Sequence, residues 1–184
     1  AKNVTVYAKV TPFAGVATPS VAGLFVPGES ETAIEGEFNG AVYTVDGVQY
    51  TAFRVFGTYI APDDGTGTAP DYSKVVAAVG DIRDIKSRHV MLGYGAAPTI
   101  DNYYAKTNST NFEKCWSTKQ NADGTWTVTY SLLLKDIPEQ YKDTAFYVNS
   151  AIVVDGETIY ADSLEGISAQ AVYNAANDSS IGWF

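Results

Sequence analysis

Three Asp-Gly pairs constrain this chain more than any other feature of it. Asp46-Gly47, Asp123-Gly124 and Asp155-Gly156 each separate two runs rich in β-branched and aromatic residues. Asp-Gly between such runs is the strongest short-range signal for a β-hairpin, because both residues accept the left-handed backbone that a tight turn needs. The pairs predict strands over Val42–Val45 with Val48–Ile60, Phe112–Thr118 with Thr125–Leu134, and Ala145–Val154 with Glu157–Tyr160. Val4, Val6, Ala8 and Val10 alternate as a further half-buried strand, and Leu24 to Val26 starts another before Pro27-Gly28 stops it. Strands at this spacing predict a mostly β chain, an antiparallel β-sandwich of jelly-roll or immunoglobulin-like type.

Two stretches read as short helices instead. Tyr72, Val75, Val76 and Val79 recur at helical spacing, with Asp71 placed to cap the start and Gly80 to close the end. Asp162, three residues before Glu165, has the form of a capping box for a second helix carrying Leu164, Ile167, Ala171 and Ala175. No internal repeat or linker divides residues 1–184, so a single domain is expected. Ala1 opening directly onto a strand suits a mature module cut from a larger, multimodular protein. The Gly-, Thr- and Asp-rich loop from Pro62 to Pro70 is the expected mobile excursion.

Composition narrows the function classes. The chain carries 21 acidic and 12 basic residues, a net charge of −9, and its Lys and Arg are scattered. That balance argues against nucleic acid and anionic lipid, which need a basic patch to displace counterions. No run approaches the roughly 18 to 20 apolar residues of a membrane span, so no direct membrane insertion is expected, and the N-terminus lacks the form of a signal peptide. Cys115 has no intramolecular disulfide partner. His89 has neither a second histidine nor a cysteine at ligand spacing, and no nucleophile motif of the Gly-x-Ser-x-Gly kind occurs. These gaps predict a non-catalytic protein without a cofactor. Asp63, Asp64 and Asp71 offer oxygens to a structural calcium ion, but their spacing fits no EF-hand loop, and a solvated acidic loop is the plainer reading.

What the chain has in quantity is aromatic surface: thirteen Tyr, eight Phe and three Trp. Trp126, Val128, Tyr130 and Leu132 share one strand parity and read as the core face; Thr125, Thr127, Thr129 and Ser131 share the other. A hairpin loop of two or four residues places Trp116 opposite Ser131 or Thr129, on the Thr/Ser face, with Cys115 on the core face. Two readings of Trp116 follow. Exposed, it is a stacking platform of about 200 Å² of the kind sugar rings bind. Covered by other structure, it is ordinary core. Tyr94, Tyr103 and Tyr104 lie in an irregular stretch where one of the adjacent pair must face outward, with Asp101, Asn102, Lys119 and Gln120 as polar partners. The candidate binding set is therefore Trp116, Tyr103, Tyr104, Tyr94, Asn102 and Lys119. Trp183, beside Phe184 at the chain end, packs back on the body or contributes nothing.

The run Phe53-Arg54-Val55-Phe56-Gly57-Thr58-Tyr59-Ile60-Ala61-Pro62 carries a resemblance, as does the segment from Tyr141 to Tyr173. There Ala145-Phe146-Tyr147-Val148 leads to Val154-Asp155-Gly156-Glu157-Thr158-Ile159-Tyr160-Ala161-Asp162-Ser163, then Ser168 to Tyr173. These segments resemble non-catalytic β-sandwich modules of extracellular and cell-surface adhesion proteins, of cellulosome or starch-adherence type, in anaerobic gut Firmicutes. The resemblance implies an extracellular or cell-surface module that binds a polysaccharide or oligosaccharide, with other modules of the same protein as neighbours. It transfers no ligand residue. Two functions are expected: glucan binding (starch or plant polysaccharide) through exposed aromatics, or a structural or protein-adhesion role that spaces or docks neighbouring domains.

Overall fold

Strand-forming sequence decides the architecture. The computed structural model describes residues 4–7, 20–25, 38–39, 42–45, 47–107 and 111–171. Along it run β1 (Val4–Tyr7), β2 (Ser20–Phe25), β3 (Phe38–Asn39), β4 (Val42–Val45), β5 (Val48–Ala61), β6 (Lys74–Ala78) and β7 (Asp81–Gly93). They are followed by β8 (Ala105–Lys106), β9 (Ser117–Gln120), β10 (Trp126–Pro138), a 3-10 turn (Glu139–Tyr141), β11 (Phe146–Val154), β12 (Glu157–Tyr160) and β13 (Leu164–Ile167). One antiparallel sheet has the order β1-β2-β5-β10-β9, with β4, itself paired to β3, on the first residues of β5. The other has the order β12-β11-β7-β6, with β13 on β11 and β8 on β7. Among the described residues no helix is long and apolar enough to cross a membrane.

Two of the three Asp-Gly hairpins form in the expected register. Val45 pairs with Val48, and Val154 with Glu157, so each has a two-residue loop. Asp155 and Gly156 both have positive φ (53° and 80°), the geometry whose twist matches that of the flanking strands. The third is a correction. Gln120 pairs with Trp126, and the Asn121 N–H donates to the Thr125 carbonyl, leaving a three-residue loop rather than two or four. Asp123 holds that loop by accepting from the Thr125 N–H and hydroxyl. The first of its two strands is also shorter than expected, beginning at Ser117.

The first predicted helix is overturned, and the second starts later than its predicted cap at Asp162. Lys74–Ala78 is strand β6, turning through Val79-Gly80 into β7, with Val75 and Ala77 buried on one face. A run of Val and Ala satisfies helical and alternating periods at once, and the two-residue turn at Gly80 decides for the hairpin. Asp71 caps no helix; its carboxylate accepts from the Ser73 N–H and hydroxyl. Leu164–Ile167 is β13, and the helical residues begin only at 169, where Ser168 Oγ accepts from the Ala171 N–H. Ala175 lies outside the described residues, as do Ala8, Val10, Val26, Trp183 and Phe184.

The sheets share one core. Phe53, Val55, Tyr59, Val128 and Tyr130 of the first meet Val75, Val90, Leu92, Val148 and Ile152 of the second. Gly57 marks their closest approach: a Cβ there would sit 2.8 Å from Tyr130 Cζ and 2.9 Å from both Ser150 Cβ and Val90 Cγ2. Two tyrosines of the first sheet reach across. Tyr130 donates to the carbonyls of His89 (3.2 Å) and Ala151 (3.4 Å), and Tyr59 donates to the Tyr72 carbonyl (2.7 Å) while accepting from Arg88 (2.7 Å).

A tyrosine groove as the candidate functional site

The loop after β7 is tied down from several sides. Gly93 leaves no room for a side chain, since a Cβ would meet the Ala96 carbonyl at 2.2 Å. The Tyr104 N–H donates to the Leu92 carbonyl, the Ile100 N–H donates to the Tyr160 hydroxyl, and Lys106 Nζ donates to the Ile100 carbonyl. Tyr94 and Tyr104 are thereby held over Phe146, with ring centroids 6.3 Å and 5.1 Å from it. Tyr103 turns the other way, beneath Lys106 Nζ at 4.3 Å. The requirement that one of the adjacent tyrosines face outward is met doubly, since both are exposed.

Opposite this loop, β10 carries a bulge. Leu134 pairs with Phe53 and Ile137 with Thr51, so Lys135 and Asp136 stand against one residue, and Asp136 takes a positive φ of 59°. Bulges of this kind bend a strand and re-aim its side chains. The chain then turns at Pro138 into the 3-10 turn that presents Tyr141. Between loop and bulge lies a groove of about 330 Å³. Tyr94, Tyr104 and Tyr141 stand around it, Phe146 floors it, and Lys135, Asp136 and Thr144 supply polar groups. The three tyrosines are 70%, 61% and 55% exposed, while Phe146 is only 6% exposed. A rigid apolar floor with amphipathic rings above it, each carrying a hydroxyl, suits a ligand with flat apolar faces and a hydrogen-bonding rim.

Trp116 is elsewhere. It lies in a bend just before β9, its N–H donating to the Thr129 carbonyl, and its ring packs edge-on against Phe56 at 5.3 Å. The Arg54 guanidinium sits over the indole, 4.6 Å from the centroid. Arg54 and Phe56 alternate with core-facing Phe53, Val55 and Tyr59, so Trp116 is on the outer face, and Cys115 packs toward the core. The side is as expected, but the bend produces it: continued in the observed register, the strand would have set Trp116 opposite Tyr130, on the core face. The ring is half-buried and its face carries a cation.

Of the remaining candidates, Asn102 is exposed in a turn with Thr99, and Lys119 is exposed on β9 beside Thr127; neither lines the groove. The carboxylates of the Pro62–Pro70 loop are engaged locally. Asp63 accepts from the N–H groups of Gly67 and Gly65 and from Trp126 Nε1, and the first of these bonds does most to hold its carboxyl below the usual range. Asp64 accepts from Thr66. At Asp71 partial burial works to raise the carboxyl, but bonds from Ser73 and the charge of Lys74 outweigh it and leave it low. Among the described residues no group of three or more His, Cys, Asp or Glu side chains is arranged to hold a metal ion.

Sequence reasoning missed Tyr141 and Phe146 as members of this site. Phe146 reads as an ordinary strand residue, and only the bulge in β10 brings the turn bearing Tyr141 beside it. No protein-family model, curated protein or solved structure matches this chain.

Proposed function

We propose that this chain is a non-catalytic carbohydrate-binding module that holds a glucan, from starch or plant cell wall, in the groove formed by Tyr94, Tyr104 and Tyr141. The observation that carries this reading is the three exposed tyrosines around one apolar floor. Large aromatics left in water are costly unless they meet a partner, and a pyranose offers C–H faces to stack and hydroxyls to bond. Among the described residues the groove has one carboxylate, Asp136, whereas glycoside hydrolysis ordinarily uses two flanking the scissile bond. The module belongs, on this reading, to a secreted or cell-surface bacterial protein with further domains. The alternative, a spacer or docking module, calls for shielded aromatics and so has less support from this groove.

Affinity electrophoresis tests the reading. Gels containing soluble starch, mixed-linkage β-glucan or xyloglucan should retard the native protein in at least one case. Unretarded migration in all three, with no sugar-dependent change in melting temperature, would overturn it.

A further inference from the structure

We infer that a second cavity, along the edge of β10 beyond Thr129, binds a carboxylate-bearing sugar residue. The cavity measures about 810 Å³, within the size range of small-molecule sites. Beyond Thr129, no strand among the described residues pairs with this edge of β10. Arg54, Arg88, Lys106 and Lys114 line the space, and none of the described residues lining it is acidic. Among the described residues this is a local inversion of charge in a chain of 21 acids and 12 bases.

Arg88 sets the character of the site. It is 3% exposed, and its guanidinium is held by the Tyr59 hydroxyl and by the carbonyls of Phe112 and Lys114, each at 2.7 Å. These neutral acceptors satisfy its hydrogen bonds without cancelling its charge, and among the described residues no carboxylate pairs with Arg88, Lys106 or Lys114. A cation kept in a partly desolvated wall projects its field into the cavity, where it is screened less than at the surface. His89, close behind Lys106, feels that field: burial first, and then the Lys106 charge, lower its pKa to about 4.

Anion binding stands on this geometry alone. The sugar part rests on the glycan reading given above, supported by the hydrogen-bonding side chains of Thr107, Asn111 and Ser131. The two cavities are consecutive along β10: Leu132 and Leu133 line this one, and Leu134 to Pro138 line the tyrosine groove.

Cys115, the only cysteine, lines the cationic cavity and reports on its occupancy. The experiment follows alkylation of Cys115 by neutral iodoacetamide in the presence of tri-galacturonate, maltotriose, acetate or tri-glutamate. Saturable protection by tri-galacturonate is expected, weakening about ten-fold or more as salt rises from about 0.05 to 0.5 M. Lys114→Gln should weaken it several-fold without loss of melting temperature, and the Lys106→Gln/Lys114→Gln pair should weaken it at least ten-fold. Tyr104→Ala/Tyr141→Ala should leave it intact, so that loss of glucan retardation and loss of Cys115 protection are separable failures. The proposal is overturned by absent protection in the folded protein, by equal protection from maltotriose, by acetate acting as well (a small anion only), or by tri-glutamate acting better (an acidic peptide site).

Discussion

The chain presents aromatic rings in two ways, at Trp116 and around the tyrosine groove, and the contrast separates stability from recognition. Trp116 is half-buried, pressed against Phe56 and capped by the Arg54 guanidinium. Its ring is already stacked, so it spends its surface on the fold and on the wall of a cationic cavity. Tyr94, Tyr104 and Tyr141 are more than half exposed and share Phe146 as a floor. Their surface is still available to a partner. The larger, rarer residue attracts attention in the sequence, but the environment of a ring, and not its type, decides whether it binds.

The strongest way to break this contrast is at Phe146, which belongs to both sides. It is buried in the core beside Phe53 and carries Tyr94 and Tyr104 on its other face. Phe146→Ala should cost about 3–5 kcal/mol and abolish glucan retardation together with the cooperative melt. A stable Phe146→Ala protein that still binds would show that the groove does not depend on its floor. Next in size is Gly57→Ala. The added methyl meets Tyr130, Ser150 and Val90 inside 3.0 Å, so the sheets must move apart at a cost of about 1–3 kcal/mol. Chemical denaturation measures that loss, and glucan affinity in the native baseline should be unchanged because the groove is distant along β10.

A pH effect sharpens the difference between the cationic side and the groove. His89 titrates at about 4 in the folded chain, against about 6.5 when unfolded. The unfolded state therefore binds the extra proton first, and stability falls as pH drops from about 6.5 to 4, by on the order of 1–2 kcal/mol after allowing for solvent screening. Melting temperature should fall over that window more steeply in the native protein than in His89→Gln. Lys106→Gln should raise the His89 value, which an NMR titration reads directly. Identical pH profiles for native protein and His89→Gln would remove this part of the account.

The sequence was legible where a local rule had one solution. Asp155-Gly156 takes the expected two-residue turn, and the strands on either side run Phe146–Val154 and Glu157–Tyr160, one residue short of the expected start at Ala145. It was illegible where two periods fitted the same residues, as at Val75 to Val79, where short Val and Ala runs satisfy helix and strand alike until a partner strand is known. The site was harder still. Tyr104 was within reach because adjacent Tyr103 and Tyr104 in an irregular stretch cannot both be buried, and Tyr94 because it lies in the same stretch. Tyr141 was not, because its place depends on a bulge at Lys135-Asp136 that no neighbouring residue announces. The Arg54 cap on Trp116 brings together two residues far apart in sequence, through the pairing of Arg54 on β5 with Leu133 on β10.

The smallest effect on folding and the most direct test coincide in the groove tyrosines. Tyr104→Ala/Tyr141→Ala removes two exposed rings, and its melting temperature should stay within the range of ordinary surface substitutions, about 0.5 kcal/mol. Aromatic stacking of about 1 kcal/mol per ring predicts a loss of glucan affinity of roughly ten- to thirty-fold. Calorimetric titration with a glucan oligosaccharide that retards the native protein, run on this variant and on Trp116→Ala, decides the matter. The account predicts that the tyrosine variant melts normally and loses affinity, while Trp116→Ala melts early and binds as the native protein does. The reverse pattern, with affinity lost at Trp116 and kept without the tyrosines, would contradict it.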